Sequence, residues 1–403
     1  MRFWLGMIAL LPVLVHPAGG YSAEITDVID AADDNDPFDL NIDIRFHSTL
    51  ERTKITREIS GGSGWKNTTN PDANRSDYNA LHYQNQIYSM DYMIEIGLYH
   101  DLELYVNLPW IIKDSRKISL VADYGSDPKT LYYGLFTESE IANRPSPHTE
   151  RSGIGDVTVG VKWAPFNSER DDSVGTWVIG LDYIIPSGKL INPNDIIGGK
   201  TGGVGLGHHQ LVPYMLFSHR FRVLDPYCGI HVTIPIQGAE AKEKGFEIPY
   251  HGGFLVGMEI VPWENTAKHM KFAIDIRFES EFFAGIQNRP SASPRGTVNE
   301  LSDFLDAHTN DASNPFDAGK RQLQSTSEYT QFGISLRFIL RITEYARFRV
   351  GASLSHNTEH FITGAEGSIE TNENAPDYNN TGSRFRVEET TLVTYWVNGT
   401  ILY

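Results

Sequence analysis

Cysteine is nearly absent: Cys228 is the only one in 403 residues, so no intrachain disulfide can form. It reads as a small apolar residue on a strand face. Beyond the N-terminus there is no apolar run of the ~20 residues that a transmembrane helix requires. The most apolar later stretch, Phe332 to Ile342, is broken by Arg337 and Arg341. Positive charge is scarce. Thirty-four Lys and Arg stand against 51 Asp and Glu, a formal charge of −17, which argues against nucleic acid as a partner. The acidic excess suits solvated exposed parts, and an acidic outer surface could meet divalent cations. What is plentiful is glycine (36) and tyrosine (19), a composition that fits many turns and aromatic residues at a membrane interface.

The N-terminus reads as a secretory signal over residues 1–22: Arg2, an apolar core from Phe3 to Val15, and a small-residue cleavage region. No Cys lies near the cleavage site to anchor a lipid. Residues 23–37 follow as an acidic, turn-rich periplasmic leader. Its run Asp33-Asp34-Asn35-Asp36 lacks the Gly and the distant Glu of an EF-hand loop, so a solvated leader is expected rather than a metal site.

From Phe38 a period of two dominates. Phe38, Leu40, Ile42, Ile44 and Phe46 alternate with Asp39, Asn41, Asp43, Arg45 and His47, the pattern of a strand with one apolar and one polar face. The pattern recurs to give twelve candidate strands, most near the ~9–11 residues of a tilted membrane strand. The last of them, Thr390 to Tyr403, ends on an aromatic residue. Tyr395, Val397, Gly399, Ile401 and Tyr403 share its apolar face. This resembles the closing strand that the assembly machinery reads in bacterial outer-membrane barrels. The connections alternate short and long, the longest being 111–152 and 284–325. Short periplasmic turns and long extracellular loops sort in this way in outer-membrane barrels. The expected fold is therefore all-β, a closed antiparallel transmembrane barrel of about twelve strands over residues 38–403.

In lipid the polar faces must turn inward, since an outward cation costs ~2–4 kcal/mol at the midplane. The lumen-lining set is then Asp39, Asp43, Arg45, Glu103, Lys162, Asp182, Asp275, Arg277, Arg337 and Arg349. Its mixed signs argue against strong ion selectivity.

Two stretches carry a family resemblance. One is Gly97-Leu98-Tyr99-His100-Asp101-Leu102-Glu103-Leu104 with Leu108-Pro109. The other is Ser152-Gly153-Ile154-Gly155-Asp156-Val157 through Lys162-Trp163, followed by Ile185-Pro186-Ser187-Gly188 and Gly203 to Gly207. This order is similar to outer-membrane barrels of the meta-pathway phenol-degradation type. The resemblance implies transport of aromatic or hydrophobic compounds and supplies no catalytic residues. The acidic leader and the two longest loops depart from the family.

No catalytic constellation and no metal or cofactor site emerges. In Ser355-His356-Asn357 the first two residues point to opposite faces of a strand, so they cannot pair there. His208-His209 has no Cys or carboxylate at ligand spacing, and the sequon-like Asn67-Thr68-Thr69 has no meaning in a bacterial outer membrane. Val298 to His308 has helical spacing and reads as a short loop helix. The leading expectation is an outer-membrane channel for passive passage of small compounds, hydrophobic or aromatic ones among them. Its partners are outer-membrane lipid, the barrel-assembly machinery and small-molecule cargo. The alternatives are a non-conducting barrel whose long loops bind a partner and, least supported, a barrel enzyme.

Overall fold

The computed structural model describes residues 23–29, 39–60, 75–120, 148–171, 173–190, 203–244, 248–285, 327–361 and 385–403. The signal segment, the expected helix Val298 to His308 and most of the long connections lie outside them.

The strands are β1 (Leu40–Ser60), β2 (Arg75–Tyr99), β3 (Leu102–Leu120), β4 (His148–Ile154), β5 (Val157–Phe166), β6 (Thr176–Ile185) and β7 (His208–Ser218). They continue with β8 (Leu224–Gln237), β9 (His251–Asn265), β10 (Met270–Phe283), β11 (Tyr329–Thr343), β12 (Ala346–Asn357), β13 (His360–Phe361) and β14 (Phe385–Leu402). Each pairs antiparallel with the next around one sheet. β4 and β5 both pair with β3 and form one wall position broken at Gly155-Asp156, and β13 extends the line of β12 along β14. The wall thus has twelve positions. It closes where β1 meets β14, with Ile42 opposite Ile401 and Phe46 opposite Val397. Leu40 and Tyr403 exchange both backbone hydrogen bonds, at 2.8 and 2.9 Å. A closed sheet leaves no edge with unpaired backbone groups.

Side-chain alternation sorts the two faces. Ile42, Ile44, Phe46, Ile179, Leu181, Ile230, Ile276 and Leu336 stand exposed on the outside, while Asn41, Asp43, Glu103, Thr176, Asp275 and Asn398 are buried on the other side. An exposed apolar band around the whole wall is the inverse of a water-soluble protein and suits lipid contact. The connections alternate as expected. Two residues join β2 to β3 and two join β11 to β12, whereas 121–147 separates β3 from β4 and 284–328 separates β10 from β11. Asp101 (φ 53°) in the β2–β3 turn and His269 (φ 50°) in the β9–β10 turn take the left-handed conformation.

The structure differs from expectation in three places. β1 and β2 run on through 50–60 and 75–79, inside the connection 50–79 where a loop was expected. β3 runs on to Leu120 and β4 begins at His148, both inside the expected loop 111–152. A six-residue helix, α1 (Ala239–Lys244), sits in the connection between β8 and β9. The first has a physical reason: Glu51, Thr53, Arg52 and Lys54 are polar on both faces, so the strand continues by backbone pairing without apolar alternation.

Candidate functional site: a charged lumen crossed by the N-terminal segment

Three tyrosines line the inner face of the wall. Tyr105, Tyr214 and Tyr227 lie directly opposite Gly160, Gly180 and Gly257 in register. The phenol end of each ring crosses its glycine, so a Cβ there would come within 2.0 to 2.3 Å of the tyrosine Cζ. Glycine is required here to let an inward aromatic lie against the wall. The phenol hydroxyls of Tyr105 and Tyr227 donate to Asp182 and Asp275.

Around these rings the inward charges pair across strands. Lys162 bonds Glu103 at 2.8 Å and Glu95 at 3.4 Å. Lys271 pairs with Glu259, and Arg220 with Glu264 at 2.5 Å. Arg337 bonds Asp275 at 2.8 Å. Arg349 bonds Asp43 at 2.7 Å and Asn398 at 2.5 Å, and Thr400 donates to the same Asp43 carboxylate at 2.7 Å. Buried charge is tolerated only when paired and hydrogen-bonded. These pairs meet that requirement.

Residues Ala23 to Ile29 thread through this network. A 3-10 turn, Glu24–Thr26, is closed by Thr26 N–H donating to Ala23 O at 2.8 Å. The Glu24 carboxylate faces three guanidiniums at once: Arg349, Arg347 at 3.1 Å and Arg337 at 3.4 Å. Asp27 bonds Arg347 at 3.0 Å. On the facing wall Ile29 N–H donates to Glu103 at 3.1 Å, Thr26 shares a 2.6 Å hydroxyl bond with Ser218, and Val28 packs against Ala164, Val178, Tyr214 and Leu216. Glu24 N–H donates to Glu259 at 3.0 Å. The segment is thereby tied to β11 and β12 on one side and to β3, β5, β6 and β7 on the other, close to the short-turn end. Burial raises the Glu24 carboxyl, but Arg349, Arg347 and Arg337 outweigh it and hold the group far below the ordinary carboxylate range. The reading of a solvated leader therefore does not describe Ala23–Ile29, whose Ala23, Thr26 and Val28 are buried. A leader rich in Asp looks water-loving in isolation, but its partners are arginines more than 300 residues away.

Next to this crossing lies a cavity of about 470 Å³, lined by Arg45, His47, Asp91, Arg277, Glu279, Ser335 and Trp396 among others. Of the sequence-derived lumen set, Arg45, Asp275, Arg277, Arg337 and Arg349 line it. Asp43, Glu103, Lys162 and Asp182 sit in the paired network beside it, and Asp39 precedes β1, its carbonyl accepting from Gly97 N–H at 3.1 Å. Glu24, Asp27, Arg347 and Tyr214 belong to the same region and went unrecognised, since only the register and the folded-back segment bring them in.

His47 joins Ser89 at 2.5 Å through Nε2 and Asp91 at 3.4 Å through Nδ1. The order is that of a nucleophile, base and carboxylate, but Ser89 is fully buried, so substrate has no access to its hydroxyl. Ser355 and His356 fall within β12, which runs to Asn357, and so take opposite faces as expected. Among the described residues no group of three His, Cys, Asp or Glu is arranged to hold a metal ion. Tyr395, Val397, Ile401 and Tyr403 of the closing strand stand exposed on the outer face.

No family model matches the sequence, the phenol-degradation family included, and no curated protein matches it. Among solved structures, an outer membrane channel from Pseudomonas putida F1 is similar at 8% identity, covering 89% of this chain and 95% of that one, with a TM-score of 0.40. A Pseudomonas aeruginosa FadL homologue is similar at 8% identity over 90% of each chain, with a TM-score of 0.32. The outer membrane protease OmpT from Escherichia coli is similar at 6% identity over 94% of this chain and 100% of that one, with a TM-score of 0.33. Similarities this distant include channels and a protease alike and carry no argument about activity.

Proposed function

We propose that this protein is an outer-membrane barrel that passes small molecules through its lumen, with residues 23–29 as a removable stopper. The observation that carries the reading is the way the lumen is obstructed. The crossing segment belongs to no wall strand and is held by side-chain contacts and a few backbone donors. Undocking it leaves every wall hydrogen bond in place. The outward apolar band and the parity of the connections support insertion in an outer membrane. The outward aromatics of the closing strand support recognition by the assembly machinery.

The lining favours small polar solutes over the hydrophobic or aromatic compounds that the family resemblance implies. The cavity is walled by Arg, Asp, Glu, His, Ser and Thr side chains, with Trp396 as its main apolar surface. Hydrophobic cargo would gain little apolar burial there, and both signs of charge are present to bind polar solutes weakly. The long connections on which a loop-binding role would rest lie outside the described residues. Among the described residues the Ser89–His47–Asp91 set has its serine buried, and passage is the reading that the crossed lumen supports best.

Liposome swelling tests this directly. Vesicles reconstituted with protein lacking residues 23–29 should swell in sugars and amino acids of a few hundred daltons, and the complete mature chain should swell them far more slowly. Equal impermeability of both, with each shown to be folded and inserted, would refute passage through the lumen.

A further inference from the structure

The outside of the barrel changes character over three adjacent strands. On β1, β2 and β3 the exposed face is apolar up to Leu50, Tyr88, Trp110 and Ile112, then turns basic. Register sets Arg52 opposite Gln84, Lys54 opposite His82, Gln84 opposite Lys117 and Tyr88 opposite Lys113. These residues share the outward parity of Tyr88, while the alternating Thr53, Tyr83, Asn85 and Arg116 are buried inside. Arg52, Lys54, His82, Gln84 and Lys117 line one cavity of about 290 Å³, with Thr53 and Tyr83 behind them and the Lys54 partner Glu389 as its one carboxylate.

Two features set this face apart. First, its cations exceed local needs. Lys54 has Glu388 and Glu389 at 3.4 Å, and Lys113 has Glu150 at 2.6 Å. Among the described residues Arg52, His82 and Lys117 make no ion pair. Arg52 and Lys117, with no ion-pair partner among the described residues, share one cavity in a chain of net charge −17. Second, the cluster is local. At the same end of the barrel the exposed residues elsewhere include Ile236, Tyr250, Phe282, Phe332 and Leu354 with His356, Glu359 and Glu389, and no second group of Lys and Arg stands out among the described ones.

We propose that this face binds the phosphorylated headgroup of a glycolipid in the outer leaflet. A phosphate group seats among Arg52, His82 and Lys117, and acyl chains run down the wall past Leu50, Tyr88 and Trp110. The proposal rests on the outer-membrane reading above. A lipid is favoured over free phosphate because the basic cavity sits directly at the upper edge of an apolar wall that acyl chains would cover. Cations at a membrane surface contribute individually modest attraction to anionic headgroups and act additively.

The test uses the complete mature protein in detergent micelles, titrated with diphosphoryl lipid A and with its dephosphorylated form, and read by native mass spectrometry. Wild type should hold the diphosphoryl form at least tenfold more tightly. Arg52→Gln with Lys117→Gln should weaken it about 30-fold, equivalent to ~2 kcal/mol at 1.4 kcal/mol per tenfold. Inorganic phosphate at the lipid's own concentration should not displace it. Equal affinity for the two lipid forms, or no loss in the double variant, would overturn the proposal. Displacement by inorganic phosphate would reassign the site to the free ion and overturn it as well. Both substitutions are on the outer surface, and heat-modifiable gel migration reports whether each variant is a folded barrel. Failure of the membrane reading shows separately, as absence of insertion into vesicles. Failure of this proposal alone leaves insertion intact.

Discussion

Replacing Glu24 with alanine removes the carboxylate that three guanidiniums share. The arginines are not stranded by the change: Arg337 keeps Asp275, Arg349 keeps Asp43 and Arg347 keeps Asp27. What is lost is the segment's own hold on β11 and β12, since only Asp27 then remains to anchor it there. Removing one partner of a buried ion pair costs ~3–5 kcal/mol. The retained partners argue for the lower end, about 3 kcal/mol. At ~1.4 kcal/mol per tenfold that shifts the docked-to-undocked ratio by roughly two orders of magnitude. The assay is open probability in planar bilayers at fixed voltage, comparing wild type, Glu24→Gln and Glu24→Ala. Glu24→Ala should be open far more often, and Glu24→Gln should lie between the two because it keeps hydrogen bonding and loses charge. An open probability within threefold of wild type, in folded protein, would refute the idea that Glu24 latches the segment.

Because the Glu24 carboxyl is held below its ordinary range, its contribution is fully present above the unfolded value of ~4.3 and is lost only as pH falls through the depressed folded value. The difference in open probability between wild type and Glu24→Gln should therefore stay flat between pH 8 and pH 5, and a change in that difference near pH 6 would contradict this. Val28→Asp sets a charge among Ala164, Val178, Tyr214 and Leu216. It should open the channel about as strongly as Glu24→Ala, checked in the same bilayers. Gly180→Val drives a side chain into the Tyr214 ring. Overpacking of this kind should lower stability by ~1–3 kcal/mol, measured by urea unfolding in lipid vesicles. Ile179→Arg places a cation on the outer wall and should cost ~2–4 kcal/mol there, whereas Ser335→Arg, which faces the cavity, should cost far less by the same measurement.

Much of the wall was legible because a lipid-facing barrel writes its fold as alternation. Asp275 and Arg277 could be assigned inward, and Ile274 and Ile276 outward, from period alone. The parity of short and long connections then fixed the order of neighbours. Legibility failed where alternation vanishes. In 51–54 both faces are polar, so the extension of β1 looked like loop, and the basic outer face formed by Arg52 and Lys54 went with it. It failed again where partners meet only through register: nothing near Tyr105 in sequence announces Gly160, and nothing near His47 announces Ser89. The largest miss was the segment Ala23–Ile29 that crosses the lumen. Glu24 and Asp27 sit in a short acidic run whose composition suggests solvation, and only the closed wall brings Arg337, Arg347 and Arg349 around them.

The central claim, a closed barrel with lipid outside and a polar lumen inside, is tested most directly by a nitroxide scan along β10 in reconstituted vesicles. Spin labels placed one at a time at positions 272 to 279 are challenged with oxygen, which partitions into lipid, and with a water-soluble nickel chelate. Labels replacing Phe272, Ile274, Ile276 and Phe278 should relax with oxygen. Those replacing Ala273, Asp275, Arg277 and Glu279 should be shielded from it, with a strict period of two. A uniform response along the strand, or nickel access to the Ile274 and Ile276 positions, would contradict the account.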